Sequence, residues 1–209
     1  MGLERDCMSD RIRRVLSDRI VGGQLAPGER LVEMRIAQEF RTSQAPVREA
    51  LRELEALRLV ESEPYRGTRV RAVSRREMAE AYAVRAILEQ AAAEAAAPAL
   101  KGSVGPLRLI LDDLRAAAMV DDREGYARHD LDFHRGIVEA AGNRILLQAW
   151  EALGFETRIR IMLARNDPDL ARVVADHDPI LAALEAGDGP TAGRLLRDHA
   201  ESFIKLIPG

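Results

Sequence analysis

The chain has 209 residues, 47% of them hydrophobic, so it can bury a real core and is long enough for two small domains. No apolar run approaches the roughly 18 residues of a membrane span, no charged-then-apolar leader opens the sequence, and the single Cys7 cannot close an internal disulfide. These features predict a cytoplasmic protein with no membrane partner. The net charge of −3 is uneven: residues 1–76 carry 16 Arg against 12 Asp and Glu (+4), whereas residues 77–209 carry 15 Lys and Arg against 22 Asp and Glu (−7). A basic segment joined to an acidic one points to a nucleic-acid contact confined to the first third.

In chain order, "DRIRRVLSDRI" sets Ile12, Val15, Leu16 and Ile20 at helical spacing, and Gly22-Gly23 stop that helix. "APGE" reads as a turn, and a short helix follows over 32–40. Ser43 can cap a third helix whose first turn tolerates Pro46, because the amide that proline lacks would be unpaired there anyway. Val47, Ala50, Leu51, Leu54 and Leu57 form its apolar stripe, and Gln44, Arg48 and Arg52 form the opposite ridge. "LVESEPYRGTRVRAV" gives two short strands around a Pro/Gly turn.

Three helices and a hairpin in that order are a winged helix-turn-helix. A polar ridge at the start of the third helix is what a major groove requires. Arg48 can donate to phosphate or guanine and Gln44 can pair with adenine. Arg66 and Gly67 at the wing tip suit close approach to a DNA backbone or minor groove. The alternative is an ordinary solvated helix face.

Residues 74–209 read as a second domain, all-α, with about six helices: from a Ser74/Glu77 capping box to about Lys101, then 106–120, 122–141, 144–165, 170–186 and 190–206. The predicted fold class is therefore mainly α, a winged helix-turn-helix domain over 1–73 followed by a helical bundle. Within "DLDFH", Asp130 and His134 stand i, i+4 on one helix face, beside Phe133, Ile137 and Val138; His129 and Asp132 point elsewhere. His177 and His199 each lie 11 residues from Asp188 in the "GDG" turn, so an antiparallel hairpin sets them at one level. Pro179 is the weak point of that hairpin and implies a kink or a fresh helix start near Asp176. Three imidazoles and one carboxylate converging in a bundle would make a divalent metal site, with zinc first and nickel, manganese or iron as alternatives. The other reading is a helix-face hydrogen bond and two core histidines.

"LAPGERLVEMRIAQEF", "SQAPVREALRELEALRLVE" and "YRGTRV" resemble the DNA-binding domain of the GntR family of bacterial transcription regulators. "YAVRAILEQAAAEAAA", "DLDFHRGIVEAAGN", "DHDPILAALEAGD" and "RLLRDHAESF" resemble the FCD ligand-binding domain of the FadR-type subfamily. The family commonly carries Arg and then Thr after the capping serine; Gln44 and Ala45 stand there instead, so its operator preference is not carried over. The resemblance implies a homodimer on a palindromic double-stranded DNA operator. It implies a divalent metal on Asp130, His134, His177 and His199, and a small carboxylate effector beside that metal with Arg85 as its partner. Two other functions fit the same residues: a metal-responsive regulator without an organic effector, and a metal-dependent hydrolase. The hydrolase lacks an evident general base.

Overall fold

The computed structural model describes residues 7–63, 65–72, 74–166 and 168–206. It divides into two compact units, Met1–Val73 and Ser74–Gly209. Pro64 of the wing turn and Asp167 of the break before residue 170 lie outside the described residues.

The first unit is a winged helix-turn-helix. Helix α1 (Met8–Val21) buries Ile12 and Leu16, α2 (Glu33–Glu39) buries Ile36 and Ala37, and α3 (Gln44–Ala56) buries Val47, Ala50, Leu51 and Leu54. These side chains meet Leu31, Leu59, Val60 and Val70 in one core. Each such side chain, taken from water, contributes about 1.5–3 kcal/mol, alanines less. Ser43 occupies the N-cap position of α3 with extended backbone, but its hydroxyl makes no capping bond.

The stretch expected to be only a turn also supplies a strand. Arg30–Leu31 (β1) pairs antiparallel with β3 (Gly67–Val70), which pairs on its other side with β2 (Val60–Glu63), giving the order β1-β3-β2. Gly28, at φ 82°, turns the chain so that its N–H donates to Val70 O at 2.8 Å. The wing is thus anchored to the loop before α2.

The second unit is all-helical among its described residues: α4 (Arg75–Leu100), α5 (Gly105–Met119), α6 (Arg123–Ala140), α7 (Arg144–Glu151), α8 (Phe155–Asn166), α9 (Leu170–Ala175), α10 (His177–Ala186) and α11 (Gly189–Leu206). Six expected helical stretches become eight segments because two of them break. The 144–165 stretch stops after Glu151 and turns at Gly154, φ 63°. The 170–186 stretch breaks at Asp176, which ends α9 and precedes α10; Pro179 then falls in the first turn of a new helix, where its missing N–H costs nothing. Ser74 Oγ accepts from Glu77 N at 3.1 Å to start α4, while the Glu77 carboxylate accepts from Arg158 Nη2 at 3.0 Å. Pro98 sits inside α4, two residues before its end, so the helix carries through it.

Helix α4 is the spine. Its inward face is lined with alanines (Ala86, Ala92, Ala93, Ala96, Ala97), and α11 packs along it. Gly189 and Gly193 of α11 make that approach close: a Cβ at Gly193 would lie 2.9 Å from Gln90 O, and one at Gly189 would lie 2.9 Å from Glu94 O. Small residues on both helices let the backbones near each other, which fixes the register of α11 and hence the position of His199.

Candidate functional site

In the first unit, the residues expected to meet DNA lie at the surface. Ser43, Gln44 and Arg48 are exposed at the start of α3, and Arg66 is exposed at the wing tip, its side chain 76% accessible. Arg48 is held by Glu33 of α2 at 3.4 Å, and Arg66 by Glu63 at 2.9 Å. Gly67 opens β3 at φ 80°, with the Arg30 guanidinium 3.5 Å from where its Cβ would be. Tyr65 beside it is fully exposed, at φ 66°. These exposed ion pairs contribute little to stability.

In the second unit, Asp130 and His134 of α6, His177 at the start of α10 and His199 of α11 come together, all buried. One ligand atom from each lies within 4.8 Å of the other three. The rings of His177 and His199 are 4.5 Å apart between centroids, and that of His134 lies 5.6 Å from the first and 5.4 Å from the second. The equal spacing about Asp188 translates into contact, with Gly187 turning the hairpin at φ 74°. His129 is only half-buried and Asp132 is exposed.

The hydrogen bonding at the back of each ring orients it. His134 Nδ1 lies 2.8 Å from Glu89 Oε2, and His177 Nδ1 lies 3.2 Å from Val174 O. A carboxylate and a carbonyl only accept, so each Nδ1 carries the proton and, in a neutral ring, Nε2 presents a lone pair. Both lone pairs face Asp130 Oδ1, at 3.9 Å from His134 and 3.4 Å from His177. Asp130 Oδ1 and the Nε2 atoms of His134, His177 and His199 are all buried without a hydrogen-bond partner. Three acceptors, on Asp130, His134 and His177, turned toward one another in a buried core beside the His199 ring repel unless a positive charge sits among them. The donor set therefore fits a divalent metal, with nitrogen and oxygen ligands suited to zinc, nickel, manganese or iron.

Electrostatics keep the set in its ligating form. Burial raises the Asp130 carboxyl, but positive charge beside it, on the imidazoles when they are protonated and on the Arg85 guanidinium, outweighs burial and holds it well below the usual carboxylate range. Burial, reinforced by the neighbouring His177, pushes His199 down to about 4. Burial likewise lowers His134.

Glu89 of α4 was not singled out from the sequence, yet it is central. One oxygen accepts from Arg85 Nε at 2.7 Å and Trp150 Nε1 at 2.8 Å, and the other holds His134. Burial raises its carboxyl, but Arg85 and then His134 hold it at about 2. Its only sequence signal is the i, i+4 spacing from Arg85. Arg85 is buried against this carboxylate and lies 3.8 Å from Asp130 Oδ2, while its Nη2 has no hydrogen-bond partner. It is thus an ion-pair residue on both sides: the same Nη2 faces Asp130 Oδ2, too far for a hydrogen bond.

A wing-flanked helix that exposes Gln44 and Arg48 on one unit and a buried ligand cluster in the other define a regulator's two working parts. Residues 8–70 match the model of bacterial regulatory proteins of the gntR family, and residues 80–202 match that of the FCD domain. The chain is 37% identical over 202 residues, 97% of its length and 89% of the relative's, to a protein of Paenarthrobacter nicotinovorans named "Probable D-xylose utilization operon transcriptional repressor". It is 29% identical over 185 residues to the gluconate operon transcriptional repressor of Bacillus subtilis, covering 85% of this chain and 76% of that one. Among solved structures, a GntR transcriptional regulator from Rhodococcus sp. RHA1 superimposes with a TM-score of 0.73 at 28% identity, over 95% of this chain and 96% of that one. The chain belongs to the GntR family of bacterial transcription regulators, with an FCD domain of the FadR type following its DNA-binding domain. The family and these relatives are regulators of transcription and not enzymes. No helix among the described residues is long and apolar enough to cross a membrane.

Proposed function

We propose that the chain is a homodimeric repressor whose hold on a palindromic operator is set by a small organic acid, bound at or beside a divalent metal on Asp130, His134, His177 and His199. The single observation that carries this reading is the set of four buried, unpartnered ligand atoms in the domain that follows the DNA reader. The metal, when bound, supplies positive charge and coordination positions for an acid's oxygens. Arg85 Nη2, ion-paired with Asp130 at 3.8 Å but without a hydrogen bond, offers its N–H to the effector carboxylate. Gln44 and Arg48 reach base edges or phosphates, the Ser43 backbone sits at the α3 terminus, and Arg66 and Gly67 meet the sugar–phosphate backbone. Two copies are needed because helix-turn-helix readers use paired half-sites. Effector binding changes the spacing the two readers can match.

The relatives' names support a sugar-related pathway and a repressing role. Localisation in the cytoplasm follows from the DNA target. A metal-only sensor is the second reading; Arg85 Nη2, buried without a hydrogen bond and 3.8 Å from Asp130 Oδ2, favours an organic effector.

The test uses labelled duplexes selected from a random pool by the metal-loaded full chain. Anisotropy titrations at one salt concentration then compare metal-loaded, chelated and acid-supplemented protein. An acid that is shown calorimetrically to bind should change operator affinity at least fivefold. Equal affinity with and without every acid that binds would sink the effector reading, and a response to metal alone would establish the second.

A further inference from the structure

Strand register in the wing sets two like charges side by side. Arg30 of β1 pairs directly with Arg69 of β3, and Leu31 with Thr68. Residues directly opposite on neighbouring strands share a face, with Cβ atoms about 4.5–5.5 Å apart. Leu31, Val60 and Val70 are buried in the core that α3 completes, so Arg30, Gly67 and Arg69 occupy the outer face of the sheet. The two guanidinium groups part along that face. Arg69 Nη1 turns toward the Gly28 end of the sheet and donates to Gly28 O at 3.2 Å. Arg30 runs the other way, to the wing tip, where its Nε and Nη2 lie 3.5 Å from the place of a Gly67 Cβ.

Among the described residues Arg30 is exposed and has neither a carboxylate partner nor a hydrogen bond. The acids around it are turned elsewhere. Glu29, its chain neighbour, accepts from Ala26 N at 2.9 Å. Glu63, across from Gly67 on β2, holds Arg66 at 2.9 Å, and Glu61 stands opposite Arg69 on β2, two strands from Arg30. Like charges directly opposite destabilise a sheet, so the free protein carries Arg30 at a cost to its own stability. Arg66 is compensated by Glu63, which leaves Arg30 as the uncompensated charge beside Gly67. A wing tip entering a minor groove about 6 Å wide has a phosphate strand on each flank. The inner flank presents the Ser62 and Thr68 hydroxyls, bonded to each other at 3.0 Å, and the outer flank presents Arg30.

We infer that Arg30 is a DNA-contacting residue that holds a backbone phosphate on the outer flank of the wing, beside Gly67. This rests on the reading of Arg66 and Gly67 as the wing's DNA contacts and adds to it a charge carried by β1. A guanidinium offers phosphate paired N–H donors. Its contribution is independent of sequence and falls with salt, because the contact releases counterions.

The experiment is an anisotropy titration of the full chain at several salt concentrations, on a duplex that the full chain selects from a random pool and on its single-base variants. Arg30→Gln should weaken binding at least threefold, by the same factor on every duplex, and should lower the slope of log affinity against log salt by about one. Arg30→Lys keeps the charge and should keep the slope. The melting temperature of free Arg30→Gln should equal or exceed that of the wild type, since the like-charged pair is gone. Arg66→Gln separates this assignment from the reading beneath it. If Arg66→Gln weakens binding while Arg30→Gln retains wild-type affinity and slope, the Arg30 assignment falls and the wing reading stands; if both variants bind as the wild type does, both fall. Weaker binding by Arg30→Gln with an unchanged slope and a lowered melting temperature would make Arg30 a structural residue of the wing and overturn the contact.

Discussion

Glu89 Oε2 lies 2.8 Å from His134 Nδ1, so a carboxylate on α4 sets which nitrogen of a ligand imidazole on α6 carries the proton. Replacing Glu89 with Gln reverses that assignment. The amide oxygen is needed by Arg85 and Trp150, which leaves the NH₂ group facing His134 and forces Nδ1 to accept. Nε2 then carries the proton and cannot ligate. Glu89→Gln should lower metal affinity by about 10- to 100-fold, measured by competition with a chromophoric chelator. Nitrogen chemical shifts of the His134 ring should show the exchanged tautomer. Unchanged affinity would remove Glu89 from the site's machinery and leave it a packing residue.

Metal removal should destabilise the helical domain, because the buried acceptors of Asp130, His134 and His177 then face one another unpaired. At a metal concentration of 100 times Kd the stabilisation is about 2.7 kcal/mol, which for a chain of this size is about 5–10 °C in melting temperature. Differential scanning calorimetry of protein with measured metal content, before and after chelation, reads this directly. His177→Ala should abolish the shift. A melting temperature indifferent to chelation in metal-containing protein would mean that the bundle does not depend on this cluster.

Much of this was legible in the sequence, for physical reasons that differ by element. The α3 stripe of Val47, Ala50, Leu51 and Leu54 is a local pattern, and burial followed it. Asp130 and His134 share a face by helix geometry alone, and the hairpin about Asp188 brought His177 to His199. What escaped depends on distant partners. The β1 strand is two residues long and exists because Arg30 meets Arg69. Glu89 gains its meaning from His134 and Trp150, 45 and 61 residues away. The break at Gly154 was missed because a single glycine in an apolar helix is ambiguous until its φ is known.

At the DNA-reading face, the Arg48–Glu33 pair predicts two separable effects. Arg48→Ala should weaken operator binding by about 1–3 kcal/mol if the arginine reads a base, with relaxed preference at one position. If it meets phosphate, the loss should be uniform across sequences and the salt dependence should fall by about one unit of slope. Gln44→Ala should relax sequence preference with a small change in salt slope. Anisotropy titrations at several salt concentrations against the selected duplex and single-base variants distinguish these. An Arg48→Ala protein with wild-type affinity and slope would exclude that helix end from the interface.

The close packing of α11 on α4 makes Gly193 a test of how the site is positioned. A methyl there would lie 2.9 Å from Gln90 O, a backbone atom that cannot move aside without displacing α4 itself. Gly193→Ala should therefore push α11 outward and cost about 1–3 kcal/mol. His199, six residues further along the same helix, should move with it, so metal affinity should fall as well as stability. Gly105 supplies the control, since a Cβ there meets nothing within 4 Å and its backbone is already helical. Gly105→Ala should be neutral or stabilise by up to about 1 kcal/mol, with metal affinity unchanged. If Gly193→Ala lowers the melting temperature but leaves metal affinity at the wild-type value, then α11 tolerates displacement at its first turns, and the position of His199 is set instead by its contacts with His177 and Phe203.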